Sequence, residues 1–500
     1  MKDKRLLTFS LLFGLSFFLI GFLFPFELKF GLKYINSTIL RFFSPYYLYI
    51  GLAIVIFCIA IFFHPIAKTK LGNEKPEYSY FSWIALLYST GMGSGLLLRA
   101  VQEPIYYFQN PPVNHIENKQ LALQYTFFHW GFTPWAMYSL FGLIIAYNLY
   151  FLKNKNILEA IVSKSGVHVI KKITPYFLVL ITIAGVIASL GLGTGQFIEG
   201  LNQYFGLHLG HTYLLSIVFL IGAIGTLSAL TGIQKVIKYL ADFDLSFSIL
   251  LLVFVGLFLN FKKFIGQSFS AFSQYVIHFF EMSLSLGNYK TSILFTQEWT
   301  VFYWAFWLAW VPFTGIFIAR ISKGRTIREF IITTIIVPTL ATLVWFSVFA
   351  NKGFELVSNS NTQEFNNVFT SLFVFLKHLP LSQITVVIAA ILVLISIINS
   401  VDSAIFVLGM LSDNGNENPA KKDKLIWGII ITATALGLTA VGSDSLLNAI
   451  SNLLIILALP FSVLYLYIII QFIFNLQKKN KLLFLNPVNI HLLKKNYKPT

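Results

Sequence analysis

Two aromatic stretches carry the residues of this chain best suited to chemistry. FHWGFTPWAMY sets Trp130, Trp135 and Tyr138 within eleven residues, and WTVFYWAFWLAW, residues 299–310, crowds four of the nine tryptophans into twelve. Trp304, Trp307 and Trp310 follow an i, i+3 series that spreads over about 120° of a helix, with Tyr303 beside them. Twelve helical residues rise about 16 Å, so these indoles cannot share one interfacial belt, the usual place for membrane tryptophan. Aromatic walls from two helices form a cage whose ring faces attract a cation that cannot donate hydrogen bonds. A quaternary ammonium fits, with diffuse charge, methyl surface and no N–H. A primary amine or a metal ion would ask for carboxylates, which are scarce here. Core packing with interfacial anchoring is the plainer reading for Trp299, at the start of its span. For Trp307 and Trp310, deep in the segment, the cage is the better one.

The elements that must hold these rings are membrane helices. The chain has 500 residues, 56% hydrophobic and only 11% charged, with 52 phenylalanines. Ordinary globular chains carry roughly 25% charge and no repeated apolar runs near twenty residues. Such runs recur here, each long enough for a bilayer core of about 30 Å. Spans are predicted near 6–24, 46–65, 80–100, 124–151, 173–203, 210–231, 241–261, 299–320, 329–350, 383–411, 425–443 and 449–476. With the N-terminus inside, 26 of the 36 lysines and arginines fall on the cytoplasmic side and 9 outside, with Arg99 within a span. That asymmetry predicts both termini in the cytoplasm and accounts for the net charge of +16 without a nucleic-acid partner. The N-terminal apolar stretch is too long for a signal peptide and reads as a retained first helix. Cys58 has no intramolecular partner and reads as a buried thiol. No phosphate-binding G-x-x-x-x-G-K-[ST] loop, paired-histidine metal site or reactive constellation is present, which argues against ATP-driven pumping and against an enzyme.

Polar solutes at membrane depth need interrupted helices. STGMGSG, residues 89–95, has three alternating glycines among hydroxyl residues and predicts one break, although Gly91 and Gly95 also suit close helix contact. WVPFTG, residues 310–315, predicts a second at Pro312 and Gly315. These breaks open the third and eighth spans. Two five-helix units follow, each with an odd number of spans, so the second is inverted relative to the first. The expected organisation is two peripheral N-terminal helices with a cytoplasmic loop (1–79), a first repeat (80–265) and an external amphipathic helix and loop (266–298). A second repeat (299–476) and a short basic tail (477–500) complete it. The tail's lysines read as a solvated face or as a sensor of anionic lipid.

At these residues the sequence resembles the betaine/choline/carnitine transporter family. The resemblance rests on WTVFYWAFWLAWVPFTGIFIARISKGRTIREF, FHWGFTPWAMYSLFGLIIAY, GMGSG followed by EPIYYFQNPP, SLGLGTGQ from Ser189, and VDSAIFVLGM from Val401. It implies an all-α membrane protein of twelve helices, with a leucine-transporter-like five-plus-five inverted repeat plus two N-terminal helices, assembled as a homotrimer in the inner cell membrane. It also implies a trimethylammonium substrate such as glycine betaine, commonly coupled to sodium. Trp130, Trp135, Tyr138 and Trp307 would line the cage, with Trp310 along the access path. Ser89 and Met92 would offer carbonyls to sodium, with Ser400 and Asn399 supplying side-chain oxygens and Phe313 nearby. Thr182 is a candidate for a second ion.

The sequence departs from the family pattern in four places. Phe306 stands where a further tryptophan is usual, and Asn399 replaces a hydroxyl residue. Ser94 replaces an aliphatic residue inside the first break and, with Met92, is placed to touch solute. Arg99 occupies a commonly aromatic position. It pairs with Glu103 at i+4 on one helix face, or it lines the outer path and meets a substrate carboxylate. Asp402, an intramembrane carboxylate, is either functional or paired with a backbone or basic group. The leading expectation is sodium-coupled import of a trimethylammonium osmolyte by alternating access. Sodium-independent exchange or proton-linked uptake of carnitine or choline is the alternative. A channel would need a continuous polar stripe that the spans lack.

Overall fold

A computed structural model describes residues 4–485 apart from 92–93, 115, 117, 163–166, 232–233, 360–361, 414 and 417–418. For 88–91, Ser94, 234–241 and 478–485, among others, the description stops at the backbone. The regular secondary structure of the described residues is helical, with one isolated bridge between Lys70 and Thr326. In chain order the helices are α1 (Lys4–Leu23), α2 (Pro25–Phe63), α3 (Tyr80–Gly91), α4 (Ser94–Arg99), α5 (Gln102–Gln109), α6 (Asn118–Trp130) and α7 (Phe132–Ala146). Then come α8 (Ile157–Ile161), α9 (His168–Phe205), α10 (His211–Thr231), α11 (Gln234–Gly256), α12 (Phe261–Ile277), α13 (Phe279–Leu284) and α14 (Ile293–Phe295). A π-helical turn, Thr296–Val301, leads into α15 (Phe302–Ile321), followed by α16 (Ile327–Asn359), α17 (Ser371–Lys377), α18 (Ser382–Ser412), α19 (Lys421–Thr439) and α20 (Ser443–Leu485).

Among the described residues, eight helices are long and apolar enough to cross a membrane, or nine with a bent pair counted as one span. That pair is Asp242–Gly256 and Phe261–Ile277, which meet at 115°. The bend sends α12, the helix predicted to be amphipathic, across to pack on α6 and α16. Its inward residues are Ala271 and Tyr275. Helix α2 begins at Pro25, well before the predicted start at residue 46.

The break predicted at Pro312 does not form. Helix α15 runs unbroken from Phe302 to Ile321 with Pro312 inside it. Proline removes one ladder donor, a loss that membrane helices tolerate when neighbours pack closely. Gly315 serves that packing. A Cβ there would sit 2.7 Å from Cδ1 of Phe141 and 3.2 Å from the backbone nitrogen of Gly142. A Cβ on Gly142 would in turn lie 3.0 Å from the carbonyl of Gly315. Small residues facing one another let two backbones approach where lipid offers no hydrophobic drive between helices.

A break the sequence reading missed lies in the fourth span, between α6 and α7. At Gly131 the backbone takes φ −100° and ψ −124°. A Cβ there would come within 2.5 Å of the Phe127 carbonyl and 2.7 Å of the Tyr275 hydroxyl, so only glycine fits. The flanking pattern Gly-Phe-Thr-Pro was the available signal, since proline suits the first turn of a new helix.

Candidate functional site

The α6–α7 break frees backbone groups inside the packed bundle, and three other helices satisfy them. Nε1 of Trp307, on α15, donates to the His129 carbonyl at 2.9 Å. The Thr342 hydroxyl, on α16, donates to the Trp130 carbonyl at 3.1 Å. The Phe132 amide donates to the Tyr275 hydroxyl, on α12, at 2.9 Å. An unmet backbone group here would cost several kcal/mol, so these bonds fix where the aromatic rings stand.

Around this junction the rings meet edge to face. Trp130 and Trp307 have centroids 5.0 Å apart at 87°, Tyr138 and Trp307 5.9 Å at 76°, and Trp135 and Tyr138 5.7 Å at 86°. All four are buried, none more than 3% exposed. In each edge-to-face pair the positive edge of one ring meets the negative face of its partner, and the faces left uncovered are the surfaces a cation would meet. Gly95 of α4 backs onto the group, since a Cβ there would lie 3.5 Å from both Trp130 and Phe306. Trp310 stands one turn further along α15, with Phe306 at 6.5 Å and Phe313 at 5.8 Å. The indole nitrogens of Trp135 and Trp310 are buried with no hydrogen-bond partner among the described residues.

The remaining tryptophans of the 299–310 stretch face elsewhere. Trp304 packs edge-on against Phe128, at 5.2 Å and 72°, and its Nε1 lies 3.1 Å from where a Cβ on Gly51 of α2 would be. Trp299 is a core residue between Tyr106 and Tyr107, with the Arg99 guanidinium 5.1 Å from its ring centroid.

The Arg99–Glu103 helix pair is overturned. Arg99 ends α4 and Glu103 lies in the first turn of α5, so the two share no helix face. Arg99 turns to Gln102 Oε1, at 2.6 Å, and to the Trp299 ring. Glu103 Oε2 accepts from Trp130 Nε1 at 2.9 Å and from the Tyr303 hydroxyl. His129 Nδ1 lies 3.6 Å from Glu103 Oε1 and 2.9 Å from the Tyr107 hydroxyl, and Nε2 lies 3.1 Å from Thr300 Oγ1. Spacing alone gave no sign of this buried polar knot, because its members come from four segments.

The expected ion ligands are only partly described. Met92 lies outside the described residues, as do the side chains of Ser89 and Ser94. Helix α4 packs against both α9 and α18. Between those last two, the Ser189 hydroxyl donates to Ser400 Oγ at 3.3 Å, and Ser400 donates to the Ser396 carbonyl at 2.8 Å. Asn399 is half-buried and Phe313 buried. The Thr182 hydroxyl donates to the Leu178 carbonyl one turn back, at 2.7 Å. Asp402 is buried and accepts from the Ser228 hydroxyl at 3.1 Å, while Lys424 donates nearby to the Ala229 carbonyl.

Away from the rings, the foot of α3 is fastened to the turn after α15. The Arg325 guanidinium lies 4.1 Å from the Tyr80 ring centroid and 4.7 Å from that of Trp83, and it donates to the Tyr78 carbonyl. Nε1 of Trp83 donates to Ser322 Oγ at 3.0 Å.

The chain is 39% identical over 454 residues to the glycine betaine transporter OpuD of Bacillus subtilis, covering 88% of each. It is 32% identical over 480 residues to a probable glycine betaine transporter of Desulfitobacterium hafniense, covering 93% of this chain and 96% of that one. It is also 32% identical to an ectoine/hydroxyectoine transporter of Virgibacillus pantothenticus, over 88% of this chain and 89% of that one. Against solved structures, a Na+-coupled sialic acid symporter aligns over 86% of each chain at 13% identity, with a TM-score of 0.48, too loose a likeness to carry an argument. A profile of the betaine/carnitine/choline family of transporters matches residues 5–481. With that match across nearly the whole chain, this multi-pass membrane protein belongs to the betaine/carnitine/choline transporter family and is a transporter, not an enzyme.

Proposed function

We propose that the chain imports glycine betaine, or a closely similar zwitterionic osmolyte, by alternating access in the inner cell membrane. The observation that carries the proposal is the continuous edge-to-face chain of Trp130, Trp135, Tyr138 and Trp307, enclosed at the α6–α7 break. A trimethylammonium group placed among those faces gains cation–π attraction worth about 2 kcal/mol or more where water is excluded. The indole N–H groups of Trp135 and Trp310, without a partner among the described residues, favour a zwitterion over choline, because a substrate carboxylate would satisfy them.

Sodium is the coupling ion in this reading. Ser89 and Met92 would present carbonyls to it, and Ser400 with Asn399 side-chain oxygens, beside Phe313. The packing of α4 on α18 supports that assignment. The twelve-span inverted-repeat arrangement, cytoplasmic termini and homotrimer belong to the same reading, supported by family membership and by the distribution of lysine and arginine. The test is uptake of radiolabelled betaine into proteoliposomes. Accumulation is expected only with an inward sodium gradient. Equal uptake without sodium refutes the coupling, and no betaine uptake under any gradient refutes the substrate.

A further inference from the structure

Three helices share a line of polar groups that ends in a carboxylate. Asp244, on α11, is half-buried and meets the Ser396 hydroxyl near the middle of the 31-residue α18. Ser396 Oγ lies 3.2 Å from both Oδ1 and Oδ2. One proton is thus divided between two oxygens, at a distance beyond the roughly 2.5–2.7 Å of a hydroxyl held firmly by a carboxylate. An ionised carboxylate has about four acceptor sites, so most of the capacity of Asp244 is unused. Among the described residues nothing else donates to it, and no lysine or arginine pairs with it. Lys235 and Lys238 precede it by nine and six residues, and neither spacing is the i−3 or i−4 of a helical ion pair. One turn beyond Ser396, the Ser400 hydroxyl donates to the Ser396 carbonyl at 2.8 Å and accepts from Ser189 of α9 at 3.3 Å. The three serines are buried, none more than 8% exposed. A single hydroxyl bond between helices is worth much less than a carboxylate charge costs inside a membrane. Helix adhesion therefore does not account for an aspartate here, since asparagine would adhere without the charge.

We propose that the Asp244 carboxylate and the Ser396 hydroxyl form a binding site for a small monovalent cation, contiguous with Ser400, and that Asp244 gives the coupling ion its one negatively charged ligand. The proposal rests on sodium being the coupling ion, and it adds a charge to the neutral oxygens assigned above. The donors are all hard oxygens, a set that suits sodium and not a soft transition metal. Each serine oxygen has two lone pairs besides its proton, so Ser400 can face a cation while still donating to the Ser396 carbonyl. Ser396 does the same once its proton turns away from Asp244. Helix α11 also packs on α3, which carries Ser89, so it touches both of the segments assigned to the ion. A cation held here neutralises Asp244 and ties α11 to α18.

The test measures binding of radioactive sodium to the purified full chain in lipid nanodiscs, by scintillation proximity at constant pH and without transport. Asp244→Asn, nearly isosteric but uncharged, is expected to weaken sodium binding by about tenfold or more, the worth of a contact to a charged group. Asp244→Glu keeps the charge and should recover most of that loss, and Ser396→Ala should give a smaller loss than Asp244→Asn. The second readout is the infrared difference spectrum of the wild type with sodium and with choline, in which a carboxylate stretching band should shift and Asp244→Asn should remove that shift. A wild-type spectrum without a carboxylate shift overturns the proposal before any variant has to fold. Wild-type sodium affinity in Asp244→Asn overturns it, and so does an equal loss in Asp244→Glu, which would trace the effect to packing. Binding that Ser400→Ala weakens and Asp244→Asn leaves intact refutes this proposal alone. A wild type that binds no sodium refutes the sodium coupling and this site together.

Discussion

Replacing Gly131 by alanine tests the site through a single methyl group. The added carbon would lie 2.5 Å from the Phe127 carbonyl and 2.7 Å from the Tyr275 hydroxyl. The first contact is backbone and cannot swing aside, so α6 and α7 must shift relative to one another. The second displaces the hydroxyl that accepts from the Phe132 amide. Overpacking of this kind costs about 1–3 kcal/mol. Losing the hydrogen bond adds about 0.5–1.5 kcal/mol. A total near 2–4 kcal/mol should appear as a clear fall in apparent melting temperature in detergent. The shift also separates Trp130 from Trp135, which stand on opposite sides of the junction. Removing one wall from contact with a desolvated cation costs about 2 kcal/mol, or about thirtyfold in betaine affinity. Gly31→Ala is the matched control, because nothing lies within 4 Å of the added carbon and a helix gains from the change. Gly131→Ala with unchanged melting and unchanged affinity would refute the claim that this junction shapes the site.

Three further outcomes are expected. Trp307→Phe removes the bond to the His129 carbonyl and the larger ring, and should weaken betaine binding by about tenfold or more in a fluorescence titration, whereas Trp304→Phe, which faces Phe128 and α2, should keep it. Gly315→Ala should lower the melting temperature by forcing α15 off α7, at about 1–3 kcal/mol; a neutral result would show the two helices tolerate separation. Arg325→Lys keeps the charge but loses the planar contact with Tyr80 and Trp83, so stability should drop by about 0.5–2 kcal/mol, and an unchanged melting curve would count against the ring sandwich.

The sequence made the aromatic residues legible because their helical period survives in a helix of any environment. Trp130, Trp135, Tyr138 and Trp307 stand together, while Trp299 and Trp304 do not join them. Interruptions were harder to read. Pro312 was expected to break its helix, yet proline's missing donor is a small loss inside a tightly packed bundle, and α15 continues. Gly131 does break its helix, and the reason includes Tyr275, far away in sequence, which no local pattern reports. The same limit hid the partners of Glu103. Counting four residues back suggested Arg99, but a helix end between them sends the carboxylate toward α6 and α15.

The contact between Gly142 and Gly315 limits how α7 and α15 can move. With almost nothing between the two backbones, α7 and α15 cannot slide or roll past each other without collision, so they behave as one piece. Trp135, Tyr138 and Trp307 ride on that piece. In the alternating-access reading proposed above, the moving parts are the segments that abut this piece, α16 and α18 among them, while Trp135, Tyr138 and Trp307 keep their spacing.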